Sequence, residues 1–189
     1  MNPLRRLRVR LSFFAQNAEG STPIEGVLAC TFLLWWYMAS FTFFDAYRQK
    51  NMTLKAGYTI ADMLSRETNT VNAAYLNGLN TVFDYLTFST QPTAVRVSSV
   101  YWDGAQNKYR TFCSYSTNPS KYPKQTDATI DLQKSKLPNL PVGDTVVLVE
   151  TFMAFQPIFR IGLNPQWYTT FITTRPRFAS QVVFDPTIC

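Results

Sequence analysis

Glu25 is the only charged side chain between Ile24 and Phe44, a window otherwise made of apolar and small polar residues. A carboxylate in the middle of a membrane-spanning helix costs ~2.5–3.5 kcal/mol and less near an end, so it takes a partner or stays hydrated. Hydration close to the positive end of a helix dipole is the simpler of the two readings. Other candidate groups are sparse. The chain has no histidine, which excludes His-based triads, His metal sites and His pH switching. Ser120-Lys121 and Ser135-Lys136 are adjacent pairs in a lysine-rich stretch, but a Ser–Lys dyad needs convergent side chains rather than adjacency. Asp127 and Asp131 lack the spacing of a calcium loop and read as solvated loop residues. Arg175 and Arg177 either meet a partner's acidic face or merely flank Pro176. No cofactor or metal is expected, and no constellation supports an enzyme.

Of three cysteines, Cys30 lies in the apolar run and reads as a small hydrophobe. Cys113 and Cys189 follow it. If the C-terminal part is exported to an oxidising compartment, they are the one pair available there for a disulfide; two free thiols are the alternative.

The elements that must position these groups begin with the apolar run itself. Its ~21 residues give ~31 Å of helix, enough for a ~30 Å hydrocarbon core. Pro23 suits the first helical turn. The uncharged stretch is longer than a signal-peptide h-region and no Ala-x-Ala site follows closely, so it reads as an uncleaved anchor. Half of the net charge of +6 lies in residues 1–20, where Arg5, Arg6, Arg8 and Arg10 oppose only Glu19. That asymmetry favours a cytoplasmic N-terminus, although Arg48, Lys50 and Lys55 nearly balance it. Trp35, Trp36 and Tyr37 fall at mid-span, facing either other protein helices or lipid.

Past Phe44 a polar stretch, then Tyr58, Ile60, Ala61, Met63 and Leu64, continue the helical spacing to about Arg66, with Gly57 as the place for a bend. Leu76, Leu79, Val82, Phe83 and Leu86 predict a second amphipathic helix ending before Gln91-Pro92. Residues 94–102 and 108–115 read as a β-hairpin around a turn-rich connection. Residues 117–143, with four prolines and no periodicity, read as a long loop. Strands are expected at 145–153 and 168–174, and a weaker one at 179–184. The aromatic residues of 101–122 are expected in a small core rather than on an adhesive surface. The organisation is a leader (1–20), a transmembrane helix (21–44), a helical extension with a second helix (45–92) and a β-rich region (93–189). The fold class is α+β, with a long N-terminal helix and a small antiparallel sheet.

Gly20 followed by Ser21-Thr22-Pro23-Ile24-Glu25, behind an arginine-rich leader and at the threshold of the apolar run, resembles the prepilin processing motif of type IV pilin-like proteins. The Glu19-Gly20-Ser21 junction, the Ile24-Glu25 pair, the polar helical extension and the segment from Thr173 to Phe178 resemble the TadE/TadF pseudopilins, the TadE-like family of the tight adherence (Tad/Flp) pilus. Ser21-Thr22-Pro23 stands where small apolar residues are more usual, and the apolar run lacks the usual proline after the Glu. The resemblance implies a pilin-like fold and cleavage after Gly20 by a membrane prepilin peptidase. It also implies an assembly role for Glu25; on physical grounds beside the resemblance, cleavage would create a partner for that carboxylate, the new α-amino group of Ser21 on its own or a neighbouring chain. The implied partners are that peptidase, another pseudopilin, the major Flp pilin and the inner-membrane platform, with the C-terminal region periplasmic. The implied work is structural, in assembling a pilus for adherence and biofilm formation. A signal-anchored, unprocessed periplasmic binding or sensor module is the competing expectation.

Overall fold

The computed structural model describes residues 21–189. Helix α1, Ser21–Ser65, is one uninterrupted rod of 45 residues. Residues without a helix breaker carry it through the apolar run and the polar extension, and the helix is continuous at Gly57. At that position the missing side chain serves contact with the sheet: a Cβ there would lie 2.9 Å from Ile172 Cδ1 and 3.0 Å from Thr170 Oγ1. Helix α2, Ala73–Thr87, starts where the Asn72 side chain accepts the Tyr75 N–H, and turns Leu76, Leu79 and Phe83 inward. It ends at Phe88, which takes up a left-handed φ of 50° usually reserved for glycine.

Four strands follow: β1 (Thr93–Asp103), β2 (Lys108–Ser116), β3 (Thr145–Phe155) and β4 (Gln166–Thr174). They form one antiparallel sheet in the order β2-β1-β3-β4. The β1–β2 turn is held by the Asp103 carboxylate, which accepts the N–H groups of Ala105 and Gln106. β3 is apolar along nearly its whole length rather than alternating, and it is buried on both faces. On one face α1 and α2 pack Ile60, Leu64, Leu76 and Phe83 against Val95, Val97, Val147 and Val149. On the other, Val100, Tyr109, Val146 and Leu148 are covered by Ile130, Leu137 and Leu140 from the long connection. The architecture is α+β.

Two expected features differ. The connection 117–143 is not wholly irregular: it contains a short helix α3, Asp127–Asp131, opened by a reciprocal Thr126–Thr129 capping box, and a 3-10 turn at Lys134–Lys136. Residues 179–184 form no strand. Val182 and Phe184 are buried in the helix-side core. The backbone makes an isolated parallel bridge between Val71 and Phe184 instead, with Val71 N–H on Val183 O and Asp185 N–H on Val71 O. The apolar pattern there is satisfied by packing rather than by a ladder.

Candidate functional site

The site is α1 and what it touches. Every residue from Thr22 to Tyr37 is exposed, including Ile24, Leu28, Phe32, Trp35 and Trp36. Only 6 % of the helix's most apolar window is buried inside the protein, which separates it from the core helix of a globular domain. Among the described residues it is the single helix long and apolar enough to cross a membrane. Exposed side chains of this kind in water would cost ~25 cal/mol per Å² of apolar surface, and lipid removes that cost. Two threonine hydroxyls within the run are satisfied locally, Thr31 Oγ1 donating to Val27 O at 2.8 Å and Thr42 Oγ1 to Met38 O at 2.9 Å. Cys30 is an exposed thiol on the same surface rather than a packed one.

Glu25 is exposed one helical turn after Ser21, on the same side of the rod. Gly20, and with it the expected cleavage point and the leader, lies outside the described residues, as does the side chain of Ser21.

Burial on α1 starts at Met38 and Ala39, still within the apolar run, and becomes complete at Thr42, which is 1 % exposed, then at Ala46 and Thr53. This face meets the sheet. Tyr168 Oη donates to Ala46 O at 3.2 Å, and Thr53 Oγ1 lies 3.4 Å from Met153 Sδ. The Tyr168 hydroxyl's pKa is raised above its ordinary value, first by burial. A groove of about 640 Å³ runs between this part of α1 and β4, lined by Phe43, Tyr47, Lys50, Leu163, Trp167 and Tyr168 among others.

The remaining candidates are dispersed. Lys121 Nζ sits 3.4 Å from the Trp167 ring centroid, and Lys136 Nζ lies over the Phe171 ring. Asp127 Oδ1 accepts the Thr111 N–H at 2.8 Å. Among the described residues no group of three or more His, Cys, Asp or Glu is placed to hold a metal. Arg175 pairs with Asp144 at 3.1 Å and Arg177 with Asp62 at 2.9 Å, so both engage acids of their own chain. Of the aromatic stretch, Tyr109 is in the core and Tyr122 stacks on Phe152 at 3.6 Å, while Phe112 is exposed. Cys113 and Cys189 are joined by a disulfide, with their Cα atoms 4.9 Å apart. It clamps the C-terminal segment across the β2 side of the sheet, where Lys124 Nζ also donates to Cys189 O.

Sequence reasoning missed a buried ion pair. Arg96 and Glu150 face each other on β1 and β3, with Nε–Oε2 and Nη2–Oε1 both at 2.7 Å. Arg96 also donates to Pro123 O and lies over the Phe152 ring, and Gln125 Nε2 donates to Glu150 Oε2 at 2.9 Å. The pair ties the long connection to the sheet.

No known protein family, curated protein or solved structure matches the chain.

Proposed function

We propose that the chain is a minor pilin or pseudopilin of the TadE/TadF type, a structural subunit that helps assemble a Tad/Flp pilus for adherence and biofilm formation. In this reading a prepilin peptidase cuts after Gly20. The mature chain, Ser21–Cys189, then holds α1 in the bacterial inner membrane with its sheet domain in the periplasm. Its partners are the peptidase, another pseudopilin, the major pilin and the membrane platform.

One observation supports this above the rest: a single rod, Ser21–Ser65, bares an apolar first half and packs its second half on an antiparallel sheet. A helix that merely anchors a domain has no need to continue unbroken into that domain's core. Glu25 adds to it. Cleavage would release an amine at Ser21, four residues and so about one helical turn before Glu25, which would give that carboxylate a partner in the same or a neighbouring subunit.

The test is the N-terminus of the protein recovered from membranes of cells with an active prepilin peptidase. Mass spectrometry is expected to find Ser21 first. An intact chain starting at Met1 or Asn2 overturns the proposal and leaves the signal-anchored binding module. Glu25→Ala is expected to abolish or sharply reduce pilus assembly; normal assembly and normal cleavage would remove the charge pairing.

A further inference from the structure

The strands β3 and β4 are joined by residues 156–165, Gln-Pro-Ile-Phe-Arg-Ile-Gly-Leu-Asn-Pro. Two positions fix where this connection lies. Gly162, at a left-handed φ of 77°, brings its backbone to the α1 rod, so that a Cβ there would be 3.5 Å from Phe43 Cζ. Leu163 shares the groove wall with Phe43 and Tyr47. The contacts along α1 run in order: Gly57 against Ile172 and Thr170, Thr53 against Met153, Ala46 against Tyr168, and Phe43 against Gly162. The hairpin therefore runs down the helix toward the apolar run, with its tip at the lower end.

That end is a level with a physical meaning. From Ile24 to Phe43 is ~28 Å of helix, which places Phe43 at the edge of a ~30 Å hydrocarbon layer. In the same connection, three and four residues before Gly162, Phe159 (38 %) and Ile158 (64 %) are exposed, with Arg160 exposed beside them. Trp167 and Tyr168 sit just behind it on β4, and Tyr47, Lys50 and Lys121 are exposed around it. Apolar side chains at the tip, aromatic rings behind and cations alongside are the composition of a segment seated at a membrane surface.

We propose that the β3–β4 connection is a second membrane contact: Ile158 and Phe159 enter the acyl boundary beside α1, and Arg160 meets lipid phosphate. The occupant of this apolar tip is lipid, because the connection that bears it meets α1 at Phe43, at the end of the rod's exposed apolar run. The proposal rests on α1 crossing the membrane, which the experiment tests separately.

The experiment uses the full chain with Cys30→Ser, its Cys113–Cys189 disulfide intact, in phosphatidylethanolamine/phosphatidylglycerol vesicles. Single substitutions Ile158→Cys, Leu34→Cys and Leu132→Cys carry an environment-sensitive nitrobenzoxadiazole label. Leu34 reports the span. Leu132 is 85 % exposed next to α3, which binds β2 at Thr111, far from the hairpin tip. A nitroxide near the headgroup end of the lipid acyl chains is expected to quench the label at 158 about two-fold, with emission shifted to the blue and protected from aqueous iodide. The label at 132 is expected to be quenched by iodide alone. If the label at 34 is lipid-quenched while that at 158 behaves like that at 132, the second contact is wrong and the span stands. If 34 is also open to iodide, the span itself fails and the proposal with it. Protection from iodide at 158 without lipid quenching means protein covers the tip, and this also overturns the assignment to lipid.

Discussion

Arg96 and Glu150 stand opposite one another with little access to water, and each depends on the other. Removing one leaves a buried charge uncompensated, at a cost of about 3–5 kcal/mol, whereas a well-packed apolar pair in the same place is often neutral. Glu150→Gln is expected to lower the denaturation temperature of the full chain in detergent by several degrees, and Arg96→Met with Glu150→Leu to restore most of it. Equal loss in the single and double variants would mean that shape, rather than charge, holds this spot. The Tyr75 hydroxyl matters at high pH. Burial first, and then the negative charge of Glu67, push the Tyr75 hydroxyl up to about 12 from an ordinary 10.0. The folded chain thus binds this proton more tightly than the unfolded one. The stability it contributes is full below pH 10 and is lost as the pH rises through about 12. Tyr75→Phe should flatten that part of the stability curve, measured by thermal melts across the alkaline range.

The elements show which features a sequence carries on its face. α1, α2 and the four strands follow from apolar spacing or strand composition, because each sustains its pattern over nine residues or more. The five-residue α3 has too few turns for a period, and its cap pairs two threonines instead of the usual acidic partner. Residues 179–184 have a strand's composition but spend it on packing. The Arg96–Glu150 pair joins positions 54 apart, a match decided by the register of β1 on β3 that no local pattern reveals. At the candidate site, the exposed apolar face of α1 and the position of Glu25 were legible, whereas the descent of the β3–β4 tip to Phe43 depends on how the sheet lies against the rod. Helix ends and contacts offer their own tests. Phe88 holds a left-handed conformation while exposed, so Phe88→Gly is expected to raise stability by about 1 kcal/mol in a chemical melt. Gly57→Val should do the opposite, by about 1–3 kcal/mol, because its side chain would meet Ile172 and Thr170.

At the scale of the whole molecule, the Cys113–Cys189 bridge spans 76 residues and closes the end of β2, the long connection, β3, β4 and the C-terminal segment into one loop. Closing a loop of that length restricts the unfolded chain by an amount worth about 4.5 kcal/mol in the entropic picture. Cys189→Ser is expected to lose much of that stability in a denaturant titration, with little change in the melt of α1 within detergent. A melt unchanged by the substitution or by reductant would show that the segment holds by Val182, Phe184 and Ile188 alone.

The unbroken passage of α1 through Gly57 also makes the molecule a lever. About 22 residues of the rod stand above Phe43, ~33 Å of stiff arm with the sheet bolted to it. A spanning helix tilts by ~20° on average, and by more when the bilayer thins, so the far end would swing ~11 Å sideways. With the helix continuous along the arm, bilayer thickness would be converted into the orientation of the domain.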